Sequence, residues 1–151
     1  MDWLLGKQNR YIGEVVDLVE NRRYDPSKQT DYVVNVLYDI VLHGTDVKVG
    51  TCDLRIGMNE YLYYAGNIGY NVLPLHRGHG YAYEACRVLF EAARDEFHMT
   101  ELIITCSPDN TPSRKTLEKL NGELLEVVEV PEWHWLNARG ETVKNIYKYV
   151  L

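Results

Sequence analysis

Alternating apolar and polar positions dominate the first third of the chain. Val34, Val36, Tyr38, Ile40 and Leu42 fall on one face at every second residue, which is the period of a strand. His43-Gly44-Thr45-Asp46 supplies turn residues, and Val47 to Ile56 returns as the partner strand, so a hairpin is predicted. Upstream, residues 12–20 carry Ile12, Val15, Val16, Leu18 and Val19. Their alternation is imperfect, and a strand competes there with a short helix. Asn21 to Gln29 contains Asp25-Pro26-Ser27 and reads as a turn or loop. Gly57-Met58-Asn59-Glu60 breaks the pattern. Asn67 to Leu73 forms a further strand, which Pro74 ends because proline cannot donate to a ladder.

The period then changes. Ala82, Ala85, Cys86, Leu89, Ala93 and Phe97 recur at steps of three and four, predicting an amphipathic helix to about His98. Leu102 to Cys106 is a short apolar strand of the buried type. Thr111 and Pro112 open a second helix, as N-cap and first helical residue, and Asn121-Gly122 closes it. Strands at about 123–130 and 142–151 follow, joined by a loop holding Trp133, His134 and Trp135. The central strand–helix–strand crossover joins two parallel strands, and the remaining pairs are antiparallel. The expected fold is α/β, one domain over residues 1–151, with a mixed, mostly antiparallel sheet flanked by helices. A chain of 151 residues suits a single core of that kind.

Charge and composition narrow the function. Sixteen basic against 22 acidic residues give a net charge of -6, which argues against a nucleic-acid partner and is compatible with a cationic small substrate. Twelve tyrosines stand against two phenylalanines; tyrosine fills strand positions and also lines wet clefts. Cys52, Cys86 and Cys106 are widely spaced, without a CxxC pair, so neither a metal site nor a disulfide framework is expected. A reducing, cytoplasmic compartment is the simplest reading. Met1 to Gly6 lacks the basic region and long apolar run of a signal peptide. No stretch of about 18 apolar residues suggests a membrane partner.

The chemistry concentrates in Leu73-Pro74-Leu75-His76-Arg77-Gly78-His79-Gly80-Tyr81-Ala82, between a strand end and a helix start. Free amides and the positive end of a helix dipole bind phosphate at such a turn, and glycines let the backbone approach closely. No lysine follows Gly80, as a Walker loop requires. Tyr83 stands where a dinucleotide fingerprint has its third glycine. A plain strand-to-helix turn, with glycines serving geometry alone, is the competing reading.

The longer stretch resembles the GCN5-related N-acetyltransferase family. That family's acetyl-coenzyme A motif is Gln/Arg-x-x-Gly-x-Gly/Ala, and Arg77-Gly78-His79-Gly80-Tyr81-Ala82 fits each fixed place. Ile68 to Pro74 is similar to the family's central strand. Asn110-Thr111-Pro112-Ser113 matches its Asn-x-x-Ala/Ser, and Gly122 stands where its Lys-x-Gly-Phe glycine stands, although Glu123 replaces the aromatic. The resemblance covers residues 68–125. It implies that the two central strands splay to admit acetyl-CoA. Backbone groups of Val72 and Leu73 would meet the pantetheine arm and thioester. The amides of Arg77, Gly78, His79, Gly80, Tyr81 and Ala82 would hold the pyrophosphate, and Asn110 and Ser113 would contact the pantetheine or its sulfur end.

The implied reaction is direct attack of a primary amine, of a small molecule or peptide, on the thioester. A lysine-like amine has a pKa of about 10.4, so a base helps to expose its lone pair and an acid helps the thiolate leave. Many family members place a tyrosine acid seven residues after the asparagine; here that position is Leu117. The branch that acetylates ribosomal-protein N-termini also tends to lack this tyrosine, and Tyr81-Ala82-Tyr83-Glu84-Ala85 is similar to it. Tyr70, on the central strand, and Cys106, near a strand end, are the weak catalytic candidates. A core tyrosine and an inert buried thiol are the competing readings. His79 reads as a shield for phosphate, His76 as a surface residue and Glu84 as a first-turn acid. Glu132, Trp133, His134 and Trp135 read as a loop over a substrate or as a homodimer contact. A non-catalytic coenzyme A-binding module with the same fold is the alternative function, and a nucleotide-binding protein a third.

Overall fold

The computed structural model describes residues 9–151, and the Met1-to-Gly6 segment read for a leader lies outside the described residues. The alternating first third becomes an antiparallel sheet of β1 (Arg10–Tyr11), β2 (Val16–Tyr24), β3 (Val34–Leu42), β4 (Lys48–Ile56) and β5 (Ile68–Val72), in that order. Val36, Tyr38 and Ile40 are fully buried on one face of β3, as their spacing requires. The rest of the chain supplies α2 (Tyr81–Asp95), β6 (Glu101–Cys106), α3 (Thr111–Lys119), β7 (Glu123–Glu129) and β8 (Val143–Val150). The last three strands make a second antiparallel sheet in the order β6-β8-β7. Two four-residue helices, α1 (Leu62–Ala65) and α4 (Trp135–Ala138), sit in connections that read as irregular.

Three sequence expectations change. Residues 12–20 hold a strand and no helix, and that strand runs on through Asn21 to Tyr24, the start of the expected turn. A bulge between Glu20 and Arg22 lets Arg22, Arg23 and Tyr24 pair with Leu37, Val36 and Asn35. The second helix is capped by Asn110 rather than Thr111: the Asn110 side chain accepts from the Ser113 amide, and Pro112 becomes the second helical residue. Asn121, at φ 64°, takes the left-handed turn at its end. Gly122 is fixed by close approach instead, because a Cβ there would stand 2.5 Å from the Tyr149 ring.

The splay is wide enough to divide the single sheet expected from the sequence. No ladder joins β5 to β6. They meet just before β5, where the Asn67 amide donates to the Ile103 carbonyl at 2.7 Å. The buried Asn67 side chain completes the stitch. Its Oδ1 accepts from the Ile103 amide at 2.8 Å, and its Nδ2 donates to the Arg55 and Gly57 carbonyls at 2.8 and 2.7 Å. Every polar group of Asn67 is therefore paired, and the sheets open into a V from this point.

A second polar anchor closes the far end of the first sheet. Asp17, fully buried on β2, accepts from the Gly13 and Gly44 amides, from Arg10 and from His43 Nδ1, all within 3.1 Å. This ties β1 to the β3–β4 turn. Between the sheets lies α2, which buries Ala85, Cys86, Val88, Leu89, Ala92 and Ala93 against the β2–β5 surface and β6. Small residues on that face let the helix sit close, with its N-terminus at the mouth of the V.

Candidate active-site cleft

The mouth of the V is a cleft of about 630 Å³. Strand geometry explains what faces it. Asn67 accepts from the Arg55 amide, and the Leu73 amide donates to Val49. Alternation along an antiparallel strand then aims the odd residues of β5 at β4, and turns the backbone groups of Tyr70 and Val72 toward the gap. Tyr70 and Val72 line the cleft with Arg77, Gly78, Gly80, Tyr81 and Ala82 from one wall and Asn110 and Ser113 from the other. The carboxy ends of both central strands thus lead to one opening.

The glycine turn is built for close approach. Gly78 and Gly80 have φ of 88° and 74°, which a side chain resists, and among the described residues nothing lies within 4 Å of where a Cβ would stand. Among the described residues, no hydrogen bond uses the amides of Gly78, His79, Gly80, Tyr81, Ala82 or Tyr83. Six free donors at the start of a 15-residue helix form an anion cradle, reinforced by the helix dipole. These groups fit the pyrophosphate of a coenzyme A ester. Arg77 plays a different part from the other turn residues: its Nε donates to the Val72 carbonyl at 2.9 Å and braces the turn against β5.

Two expected residues stand apart. The Leu73 amide is committed to Val49, and Leu73 is absent from the cleft lining. His79 is exposed and stacks on Tyr81, with ring centres 5.3 Å apart, instead of facing the cleft. His76, read as a surface residue, does line the cleft, as do Tyr83, which the sequence names without a role in the site, and Thr116, which sequence reading passed over. Tyr83 lies under Lys119, whose Nζ is 4.2 Å from the ring centre, so a cation on α3 neighbours the cradle. The only local signals were a position on the first helical turn for Tyr83, and a place one turn after Ser113 for Thr116.

The two catalytic candidates now separate. Tyr70 Oη and Ser113 Oγ lie 2.9 Å apart, a hydroxyl pair bridging the two walls. Burial pushes the Tyr70 phenol up to about 12, against the opposing pull of Ser113 and Thr116, so it keeps its proton at neutral pH. Cys106 is buried, and burial raises its thiol despite the lowering effect of Lys144 and Arg114. A thiol held in that form is a poor nucleophile. Leu117 is fully buried in the core, so no acid acts from that position. Glu84 pairs with Arg87 at 3.3 Å. His134 is 1% exposed, and its Nδ1 accepts from the Leu136 amide, leaving Nε2 as the donor to the Tyr61 carbonyl. Both nitrogens are spent, and His134 is a structural residue of its loop.

The cleft can be set against known proteins. The Acetyltransferase (GNAT) domain family matches residues 2–123. The uncharacterized N-acetyltransferase YnaD of Bacillus subtilis (strain 168) is 28% identical over 83 residues, which make up 55% of this chain and 47% of YnaD. This chain thus spans about half the length of that curated relative. A GNAT-family acetyltransferase structure from Bacillus anthracis superposes with a TM-score of 0.60 at 24% identity, covering 76% of this chain and 65% of that one. The apo structure of RimL, a ribosomal L7/L12 alpha-N-protein acetyltransferase, has a TM-score of 0.65 at 14% identity and covers 95% of both chains. RimL is also known with coenzyme A bound, at a TM-score of 0.58, 18% identity and coverage of 78% and 62%. These likenesses show a shared fold. With the Arg77-to-Ala82 turn lying at the mouth of a split sheet, and the family match extending over most of the sequence, this chain belongs to the GNAT acetyltransferase family.

Proposed function

We propose that this protein is an acetyl-CoA-dependent N-acetyltransferase that acetylates a primary amine of a small molecule or peptide by direct attack. The observation that carries the reading is the run of six free amides from Gly78 to Tyr83, beside two glycines with open space where side chains would be. Family membership and the coenzyme A complex of RimL support it. The amides of Gly78 to Ala82 take the pyrophosphate, with Arg77 bracing the turn. The outward backbone groups of Tyr70 and the Val72 amide take the pantetheine arm and thioester, in place of the Leu73 amide. Asn110 and Ser113 lie on the sulfur side. The reading retains a cytoplasmic location, consistent with three free, buried cysteines. It also retains a homodimer, for which Leu124, Leu125 and Val127, exposed along β7, offer an apolar face.

Acetyl-CoA supplies the activated acetyl group. The neutral amine forms the new C–N bond as the C–S bond breaks, and the amine loses a proton to water. The departing thiolate takes a proton from Ser113 Oγ, Tyr70 restores it through their 2.9 Å contact, and the water that took the amine's proton returns one to Tyr70. Ser113→Ala should lower kcat by roughly 10²-fold, with acetyl-CoA affinity within about twofold of the parent. Tyr70→Phe should lower kcat by a smaller factor. Thiol release against a panel of primary amines reads both. Unchanged kcat in Ser113→Ala would remove the relay.

Gly80→Trp fills the cradle. Acetyl-CoA affinity should fall by at least about 100-fold, while the circular dichroism spectrum stays that of the folded parent. Undiminished affinity in a folded variant would displace the pyrophosphate from this turn. The non-catalytic coenzyme A module is the second reading, favoured by the buried leucine at position 117. Turnover of any amine rejects it.

A further inference from the structure

A second cleft of about 640 Å³ lies away from the glycine turn, where the β2–β3 connection, α1 and the β7–β8 connection meet. Four aromatic rings line it: Tyr32, Tyr61, Trp133 and Trp135. Their spacing is tight. Tyr61 lies 5.6 Å from Tyr32 and 5.5 Å from Trp133, and buried His134 stacks under Trp135 at 5.4 Å. Tyr32, Trp133 and Trp135 are 53%, 54% and 40% exposed, so their faces are open rather than packed in the core. Asp31, only 7% exposed, sits in the lining. Its Oδ1 accepts from Trp135 Nε1 at 2.9 Å, and its carbonyl accepts from Asn59. Its second carboxylate oxygen has no partner among the described residues.

The backbone here is unusual. Asp31 and Tyr32 are consecutive non-glycine residues in the left-handed region, at φ 54° and 66°. Asp31 ends the short 3-10 turn Lys28–Thr30, and the Tyr32 amide closes that turn by donating to the Ser27 carbonyl at 2.8 Å. Here it sets a nearly buried carboxylate against an open ring. Negative charge among aromatic faces is the arrangement that holds an organic ammonium ion. One cation–ring contact already lies in the cleft: the Arg139 guanidinium is 5.5 Å over Trp135. Arg139 and Lys28 are exposed lining residues, and Arg139 also reaches Glu141 at 4.0 Å. Among the described residues, no cation lies over the faces of Tyr32, Tyr61 or Trp133.

We propose that this aromatic cleft with Asp31 binds an alkylammonium group. Resting on the transferase reading, it would hold a second, charged nitrogen of the acceptor. It cannot hold the reacting nitrogen, which has to be neutral and which this site would keep protonated.

The test is a titration of tryptophan emission with tetramethylammonium chloride, without acetyl-CoA, at ionic strength held constant with sodium chloride. Its outcome does not depend on cofactor binding or transfer. Saturable change with a midpoint on the order of 1–10 mM is expected for the parent. Asp31→Asn should raise that midpoint at least about tenfold. It retains an acceptor for Trp135 and tolerates the left-handed backbone, and Tyr32→Asn is the second variant on the same grounds. Both keep every tryptophan as a reporter, and circular dichroism checks their folding. No saturable change in the parent, an equal response to neutral tert-butanol, or an unaltered midpoint in both folded variants would overturn the proposal.

Discussion

Asn67→Ala is expected to lose roughly 3–5 kcal/mol of folding stability, a large part of the about 5–15 kcal/mol typical of a domain. The substitution deletes three side-chain hydrogen bonds and orphans the Ile103 amide and the Arg55 and Gly57 carbonyls. Each buried orphan costs about 1–3 kcal/mol, and partial access of water to the two carbonyls keeps the sum below the upper limit. The position is more than a local contact, because β5 and β6 share no ladder and meet here. Asn67→Asp does not rescue it, since it replaces the donor facing two carbonyls with a third acceptor. Urea unfolding measures both variants through the shift in midpoint at constant slope. A loss below about 1 kcal/mol in Asn67→Ala would show that the sheets are held together elsewhere.

Asp17→Ala is expected to cost about 3 kcal/mol. Its carboxylate is fully buried among two backbone amides, Arg10 and His43. Arg10 and His43 stay partly exposed, so losing their partner is less costly than for fully buried cations, and the estimate sits at the low end. Burial alone would raise this carboxyl. The Gly44 amide, His43, the Gly13 amide and Arg10 outweigh it and hold the group well below the usual carboxylate range. The folded value is therefore below the unfolded value of about 3.9. The stabilisation is complete above that value and is lost as pH falls below it. Between about pH 5 and pH 2, melting temperatures should drop steeply below about pH 4 for the parent and less steeply for Asp17→Asn, which starts lower. Parallel curves would mean that Asp17 does not govern the acid limb.

What the sequence makes legible is local and periodic. The 34–56 hairpin, the amphipathic helix after Gly80 and the Arg77-to-Ala82 turn all announce themselves within a few residues, because their burial or phosphate geometry repeats at a short period. The helices α1 and α4 are four residues long and have no period to detect. The stitch that joins the two sheets where they part is one asparagine, whose partners lie 10, 12 and 36 residues away. Nothing around Asn67 in the chain distinguishes it. Leu73 reads as a cofactor ligand from its motif position, yet strand alternation turns its amide to β4. Asp31, Tyr32 and Trp133 are brought together across about a hundred residues, and only Trp133 had attracted notice. Sites assembled from separate loops carry chemistry without a sequence period.

The central claim is that the turn at the mouth of the V holds a coenzyme A ester. Calorimetric titration of acetyl-CoA into the folded protein tests it most directly. One site per chain is expected, with a Kd on the order of 1–100 μM. No binding heat at any temperature tried, from a sample whose spectrum is folded, would contradict the account and leave Gly78 to Tyr83 as a turn with a purely geometric role.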